Sequence, residues 1–318
     1  MTTRRSLVLL GLGFGLGLAA GCGGDSGAAD APAGGDGGGV DAPSFGDPLV
    51  GIGAVELVQG GFQFTEGPQW REAEGDLVFS DVPASIIYRY QPGGGAAVAL
   101  VNPSNNSNGL AMDGNGALIA AEHGMRRVSR AGATVVGMFE GKRLNSPNDV
   151  IVADDGTIYF TDPPYGIQAS QQELSFNGVF RVAPGGAVTA EFRGAVTTRP
   201  NGVGLSPDGT ALYVAETADG NVYRYPIQPG GALGARAVLA QTAGNPDGLA
   251  VDVAGNVFVS TSAGVEAFSP EGARWGAIAV PMQPANCAFG DADHRTLYIT
   301  ARTAVYRVRL AHPGLPRR

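Results

Sequence analysis

The chain of 318 residues contains only two cysteines, Cys22 and Cys287. Cys22 follows small residues near the start of the chain, so once it is used there no internal disulfide can form. The chain also has no excess of positive charge, because 21 Lys and Arg stand against 29 Asp and Glu; the formal net charge is -8 and the isoelectric point is near 4.9. This balance argues against nucleic acid as a partner and provides no basic surface for binding membranes.

No transmembrane helix is expected at the start of the chain, although an apolar run occurs there. It extends from Leu7 to Ala20 behind two arginines, and a spanning helix needs about 20 apolar residues. A charged start, a short apolar run and small residues before Cys22 are typical of an export signal. Residues 1–22 are therefore predicted to be a lipoprotein-type signal peptide, with an ordinary secretory signal cleaved nearby as the alternative. We expect an exported protein anchored to the membrane only through Cys22.

Long helical periodicity is absent from the rest of the chain. Residues 23–48 are almost entirely Gly, Ala, Asp, Pro and Ser, a composition that buries little apolar surface and predicts a flexible linker. Residues 49–318 are rich in glycine and in short runs of β-branched and aromatic residues. This pattern predicts one all-β domain.

One unit recurs six times in residues 49–318. Each copy reads as a polar residue, an apolar strand, a tight turn, a second apolar strand and a polar exit, usually with a third strand after it. The turns align at Gly75, Gly116, Gly156, Gly209, Gly255 and His294, with spacings of 39 to 53 residues. About four strands at this period predict a six-bladed β-propeller. The last copy lacks an outer strand, which the segment VGIGAVELV, residues 50–58, can supply to close the ring.

A side-chain oxygen precedes the first strand in every copy. Counting back eight residues from the turn, or nine in the first copy, gives the six residues called here the channel ring. They are Glu66, Asn108, Asn148, Asn201, Asp247 and Asn286. Because the first strand of each propeller blade lines the central channel, these residues should meet at one mouth of it. Carboxylate and amide oxygens suit a hard cation such as Ca²⁺, although Asn and Asp also cap turns.

These repeats resemble the gluconolactonase family, which includes senescence marker protein-30 and luciferin-regenerating enzyme. The most specific pieces are SPNDVIVADDGTIYFTDPPYG, RPNGVGLSPDGTALYVAET, PDGLAVDVAGNVFVS and EHGMRRVSR. The resemblance implies a six-bladed propeller with one divalent ion, held by Glu66, Asn148, Asn201 and Asp247. Ca²⁺ is the expected ion, with Zn²⁺, Mn²⁺ and Mg²⁺ as alternatives. Whether Asn108 and Asn286 bind ligand or only order the channel stays open.

The second strands end on the same side as the channel ring. Their exits carry His123, Arg126, Asp162, Tyr165, Glu216 and Ser262. We predict that substrate is bound by Asn108, His123, Arg126, Asn148 and Tyr165, with loop packing as the alternative for the exit residues. The exit after Asp162 is the longest and could act as a lid.

The resemblance implies hydrolysis of a small, sugar-type lactone by water that a metal ion activates. Asp247 is predicted to act as the general base as well as a ligand. No G-x-S-x-G motif occurs, so a covalent route has no support. The alternatives are a phosphotriester hydrolase of the diisopropylfluorophosphatase type and a propeller that binds a ligand or protein without catalysis. We expect a monomer with a small-molecule lactone as its partner.

Overall fold

The computed structural model describes residues 45–315 of the chain. The predicted signal peptide, Cys22 and most of the predicted linker lie outside these residues. The described part is built from β-strands, with one short 3-10 helix at Ala169–Gln171. Within residues 45–315, no helix has the length and apolar character that crossing a membrane requires.

Six four-stranded antiparallel sheets form the six blades of a propeller, so the predicted fold class is confirmed. Blade one contains β2 (Thr65–Arg71), β3 (Asp76–Asp81), β4 (Ile86–Tyr90) and β5 (Val98–Val101). Blade two contains β6 (Ser107–Met112), β7 (Leu118–Glu122), β8 (Arg127–Arg130) and β9 (Ala133–Val136). Two short strands, β10 (Met138–Phe139) and β11 (Lys142–Arg143), pair in the connection to blade three.

The next three blades repeat this order from the channel outwards. Blade three contains β12 (Val150–Val152), β13 (Ile158–Asp162), β14 (Asn177–Val182) and β15 (Val188–Gly194). Blade four contains β16 (Pro200–Leu205), β17 (Ala211–Glu216), β18 (Asn221–Pro226) and β19 (Ala237–Gln241). Blade five contains β20 (Pro246–Val251), β21 (Val257–Thr261), β22 (Gly264–Phe268) and β23 (Arg274–Ile278).

Blade six is completed by the start of the domain. Its strands β24 (Asn286–Gly290), β25 (Thr296–Ala301) and β26 (Ala304–Arg309) are joined by β1 (Glu56–Gly60), which pairs antiparallel with β26. The predicted closure is therefore confirmed, but the strand begins later than residues 50–58 suggested. Before Glu56 the backbone does not continue the strand, although Gly53 N donates to Arg309 O at 2.8 Å and Leu49, Ile52 and Val55 pack against the buried cluster of blades five and six. Pairing with β1 covers the outer edge of β26, whose backbone N–H and C=O groups could otherwise pair with a strand of another chain.

The turns between first and second strands share one backbone conformation. All six aligned turn residues have a positive φ, including His294 at 52°, where the other blades carry glycine. These turns lie at the opposite end of the channel from the channel ring. Their common conformation explains why the six copies align on this position, since glycine adopts a left-handed turn without strain.

Apolar side chains between blades form the core. At the join between the first and last blades, the rings of Trp70 and Tyr298 stack with centroids 6.0 Å apart. Within blade three, Phe160 and Phe180 stack at 5.1 Å, and both are fully buried. Such aromatic contacts add about 0.5–1.5 kcal/mol to the burial of their area. The packed blades hold the first strands rigidly around the channel, where the ring residues begin.

Candidate active site at the channel mouth

The channel-ring residues lie at the start of the six first strands. Its members are the second residue of β2, β6, β16 and β20, the first residue of β24, and the residue two before β12. Five of the six are buried, and Asp247 is half-buried at the mouth. Each ring residue therefore comes from a different blade, and together they surround one end of the channel.

Close contact between neighbouring first strands brings the ring residues together. A Cβ atom on Gly248 would lie 1.9 Å from Cγ of Asn286, and one on Gly67 would lie 2.0 Å from the carbonyl oxygen of Asn108. Gly248 N also donates to the carbonyl of Ala285 over 2.7 Å. Glycine after a ring residue is therefore required where the next blade approaches its backbone.

Three ring amides form a chain of hydrogen bonds. Nδ2 of Asn108 donates to Oδ1 of Asn148 over 2.8 Å, and Nδ2 of Asn148 donates to Oδ1 of Asn201 over 2.6 Å. Nδ2 of Asn201 then donates to the hydroxyl of Thr217, which donates to the carbonyl of Pro246. The chain fixes which atom of each amide is oxygen, and it leaves Oδ1 of Asn108 buried without a partner among the described residues.

Two members of the channel ring are carboxylates, Glu66 and Asp247, and both lie beside the amides. Burial raises the pKa of Glu66 well above its usual range, and the negative charge of Asp247 raises it further. Burial also raises the pKa of Asp247 to about 7, which a hydrogen bond from the Asn201 side chain partly opposes. The two carboxylates are therefore close enough for their charges to interact, while their joint binding of an ion stays a prediction.

A third carboxylate, Asp149, lies in the same channel and was not among the predicted residues. Its Oδ1 accepts the Val150 N–H at 2.9 Å and its Oδ2 accepts the Val203 N–H of blade four at 3.0 Å. Its charge contributes to the raised pKa values of Glu66 and Asp247. The sequence does contain a sign of this residue. Four of the six ring residues are followed by glycine, whereas Asn148 is followed by Asp149.

His123 and Tyr165 both reach the ring. Nε2 of His123 lies 3.3 Å from Oδ1 of Asn148 and 3.5 Å from Nδ2 of Asn108. Burial lowers the pKa of His123 to about 4, so the imidazole is neutral near neutral pH. The hydroxyl of Tyr165 lies near Thr217 and the charge of Asp247, and local desolvation raises its pKa to about 12 although 45% of the residue is exposed.

Arg126 is turned away from solvent and holds the chain segment that leads to Asn148. Its Nε donates to the carbonyls of Leu144 and Asn145 at 2.7 and 3.0 Å, and its Nη1 lies 3.5 Å from Glu173 in the long exit loop of blade three. From the other side, Asp162 accepts the N–H groups of Asn145 and Ser146. These contacts fit a role in positioning Asn148, while substrate binding by Arg126 stays a prediction.

The donor set is compatible with a hard divalent ion. The side chains of Glu66, Asn148, Asn201 and Asp247 lie at one mouth and include two carboxylates, and Oδ1 of Asn108 adds a buried oxygen without a partner in the described part of the chain. Among residues 45–315, no cluster of three His, Cys, Asp or Glu side chains could hold a metal. Any ion at the ring must therefore use amide oxygens, which Ca²⁺ accepts readily.

A separate cavity of about 720 Å³ opens at the opposite end of the channel. Its walls come mainly from the turns of blades three and four, including Asp155, Ser206 and Asp208. None of the six ring residues lines it. The cavity is therefore distinct from the ring, which has the convergent polar groups expected of a catalytic site.

Comparison with known proteins identifies the family. The SMP-30/gluconolactonase/LRE-like region matches residues 64–303 of the chain. The chain belongs to this family. A gluconolactonase of Zymomonas mobilis is 36% identical over 291 aligned positions, which cover 80% of this chain and 81% of that protein. A pentonolactonase of Haloferax volcanii is 32% identical, over 74% of this chain and 80% of that protein.

Solved structures agree with this assignment. A gluconolactonase structure from Xanthomonas campestris has a TM-score of 0.76 at 33% identity, and the match covers 83% of this chain and 91% of that one. The resemblance inferred from the repeats is thus confirmed. The family match begins at residue 64, two residues before Glu66, and ends at residue 303, so it contains the whole channel ring.

Proposed function

We propose that the protein hydrolyses the ester bond of a small, sugar-type lactone at the channel ring, with a divalent ion held there. The observation that carries the proposal is the convergence of Glu66 and Asp247 within a ring of amides, in a chain related to a gluconolactonase and a pentonolactonase. A ring of this kind offers charge for a cation and neutral donors and acceptors for a polyhydroxy substrate.

The ion is proposed to bind Glu66, Asn148, Asn201 and Asp247, and Ca²⁺ is the expected species. Two neighbouring carboxylates that are desolvated need positive charge beside them to remain ionised. Ca²⁺ takes six to eight oxygens, so four protein ligands leave positions for substrate and water. When bound, such an ion supplies Lewis acidity, which polarises a carbonyl and lowers the pKa of nearby water.

Asp247 is proposed to accept the proton of the attacking water. The water oxygen bonds to the lactone carbonyl carbon, the bond from that carbon to the ring oxygen breaks, and the ring oxygen takes up a proton to become a hydroxyl. The product is the open hydroxy acid. A carboxylate that is only half-buried at the mouth can exchange its proton with solvent after each turnover, which suits a general base.

The other predicted residues orient the substrate and the ring in this scheme. Tyr165 stays protonated, because its pKa is about 12, and can donate a hydrogen bond to a substrate oxygen. His123 is neutral, and its Nε2 faces Oδ1 of Asn148, so in the tautomer that donates there it fixes the amide and does not accept a proton. Asn108 supplies the free oxygen that can accept a substrate hydroxyl.

The experiment is a pH-stat assay of acid release from several aldono-lactones, with the enzyme as purified, after chelation, and after return of Ca²⁺, Zn²⁺, Mn²⁺ or Mg²⁺. Opening of at least one lactone, lost on chelation and regained with an ion, would support the proposal. Hydrolysis that survives complete removal of metal would contradict the ion's role. If no lactone opens with any ion, a binding propeller becomes the better account.

We also propose that the protein is exported as a monomer anchored through a lipid on Cys22. The support is the order of charged residues, apolar run and small residues before this cysteine. Cells that express Cys22→Ser should release the protein from the membrane fraction and should no longer incorporate a labelled fatty acid into it. Light scattering of the purified domain tests the monomer.

A further inference from the structure

Two arginines lie near Asp247 at the channel mouth. Arg302 is close enough for its positive charge to act on Asp247, and the charges of Arg199 and Asp247 both act on the hydroxyl of Tyr165. Asp247 begins blade five, Arg199 leads into the first strand of blade four, and Arg302 lies between the second and third strands of blade six. Blade five itself contributes only small residues beside Asp247, since its exit between β21 and β22 consists of Ser262 and Ala263. The exit of blade five therefore contributes no long side chain on this side of the mouth.

Arg302 is held at the rim with its guanidinium in solvent. Its backbone adopts a positive φ of 49°, and its carbonyl accepts the Thr65 N–H at 2.7 Å, which fixes it beside the strand that carries Glu66. The guanidinium packs over Phe64 at 5.6 Å, and Nη2 donates to Gln283. Within the described part of the chain, Nε and Nη1 donate no hydrogen bond, so they can meet a ligand.

Arg199 is fixed in the connection that leads into blade four. Its backbone N–H donates to Glu216, and its carbonyl accepts the Thr217 N–H at 3.0 Å. Nη1 donates to the carbonyls of Val196 and Thr198 at 2.7 and 2.8 Å. Within residues 45–315, Nε and Nη2 make no hydrogen bond. Like Arg302, it combines an anchored backbone with unused donors, and guanidinium groups of this kind bind carboxylate, sulfonate or phosphate.

We propose that the lactone carries a negatively charged substituent, bound over blade five between Arg199 and Arg302. The inference rests on the proposed function, because it assumes that the lactone carbonyl lies at the ring. The charges at the mouth permit it. With a divalent ion bound, the four carboxylates of Glu66, Asp149, Glu216 and Asp247 are balanced by the ion and the two guanidinium groups, whereas the whole chain has a net charge of -8.

Two lactones that differ at one carbon test the proposal. In D-glucono-γ-lactone the terminal carbon carries a neutral hydroxyl, and in D-glucaro-γ-lactone it carries a carboxylate. With Ca²⁺ at saturation, we expect kcat/KM to be at least about tenfold higher for the anionic lactone, equal to about 1.4 kcal/mol. The preference should shrink as ionic strength rises, because salt screens exposed charges.

Substitutions then assign the preference to residues. Arg302→Gln should reduce the ratio of the two kcat/KM values to below about threefold, mainly by raising KM for the anionic lactone, and Arg302→Lys should restore most of it. Arg199→Gln should act in the same direction. The matched control is Arg89→Gln, which makes the same charge change on the exposed face of β4 and should leave the ratio unaltered.

The outcomes separate this inference from the proposed function. Equal turnover of both lactones by the wild-type protein would overturn the anionic substituent and leave lactone hydrolysis intact. An equal fall in kcat/KM for both lactones in Arg302→Gln would mean that the arginine acts on the ring and not on the substituent. That result would also overturn the anionic substituent. If neither lactone opens, calorimetry decides, since D-glucarate should still bind at least about tenfold more tightly than D-gluconate, and equal binding would contradict the inference.

Discussion

The side-chain amide of Asn148 donates to Oδ1 of Asn201 over 2.6 Å and so joins blades three and four directly at the channel mouth. Asn148 in turn accepts from Asn108 of blade two at 2.8 Å. Three consecutive blades are thus connected through their ring residues. Each amide is oriented by hydrogen bonds to its neighbours, so the position of each amide oxygen depends on more than one side chain.

This arrangement predicts coupling between ring amides. Asn148→Ala should weaken Ca²⁺ binding at least about tenfold, because it removes one proposed ligand and frees the amide of Asn108 to rotate. Isothermal titration calorimetry measures the affinity, with Asn115→Ala, in a turn at the opposite end of the channel, as the control.

A double variant tests the hydrogen bond between the two amides. Asn108→Ala combined with Asn148→Ala should lose less binding free energy for Ca²⁺ than the sum of the losses in the two single variants. Strictly additive losses would contradict the hydrogen-bonded chain.

Glu66→Gln should mainly weaken ion binding. The substitution keeps the shape of the side chain and one oxygen but removes a buried negative charge, and attraction between charges contributes strongly in such a setting. We expect activity at low Ca²⁺ to fall at least tenfold and to recover substantially when the ion is raised. Activity that stays low at saturating Ca²⁺, with the ion bound, would indicate that Glu66 takes part in the reaction itself.

The contact between blades five and six can be tested through Gly248. A methyl group there would fall 1.9 Å from Cγ of Asn286, so Gly248→Ala must displace the ring residue or the strand. We expect thermal denaturation to reveal a loss of about 1–3 kcal/mol or more, as overpacked sites usually cost. Gly114→Ala is the matched control, since no atom lies within 4 Å of the added carbon. Equal stability of the two variants would mean that the backbones approach less closely than the structure has them.

Asp162 should make stability depend on pH. Burial raises its folded-state pKa to about 7, against two N–H bonds from Asn145 and Ser146 that lower it. The unfolded chain has a value near about 4, so between these values the folded protein binds one more proton. Its contribution to stability is therefore present below pH 4 and lost as the pH rises through 7.

Replacement of Asp162 tests this dependence. Asp162→Asn removes the titration, so the difference in melting temperature between wild type and variant should be largest near pH 4 and should narrow towards pH 7. A difference that widens with rising pH would show that the carboxylate is ionised in the folded protein. The exposed turn carboxylate Asp155 provides the control as Asp155→Asn.

Much of the fold could be predicted from the sequence because the turns that separate its strands are specified by single residues. The turn residues need a left-handed backbone, and glycine or, at His294, a tolerant residue marks each of them. From these turns the six blades and the channel ring follow by counting. The closing strand was predicted, but it begins at Glu56 and not at residue 50, because the apolar side chains of Leu49, Ile52 and Val55 pack against the core without pairing their backbone with β26.

The rest of the site depends on contacts between blades, which no local pattern reports. Asp149 follows Asn148 in the sequence, yet its partner is the backbone of Val203 on the next blade. Arg126 stands at an exit beside the ring, and its sequence position cannot indicate that its side chain turns back to the carbonyls of Leu144 and Asn145. The short strands β10 and β11 likewise form only where the blade two connection folds over itself.

The central claim is that the channel ring binds an ion and that Asp247 accepts the proton of the attacking water. Asp247→Asn tests this claim most directly. The variant keeps an oxygen at the ligand position and removes the base. Metal analysis after loading and the pH-stat assay at saturating Ca²⁺ should be made on the same sample. We expect an ion to remain bound while turnover of the lactone falls by about 10²–10⁴-fold. Normal turnover by the metal-loaded variant would contradict the account.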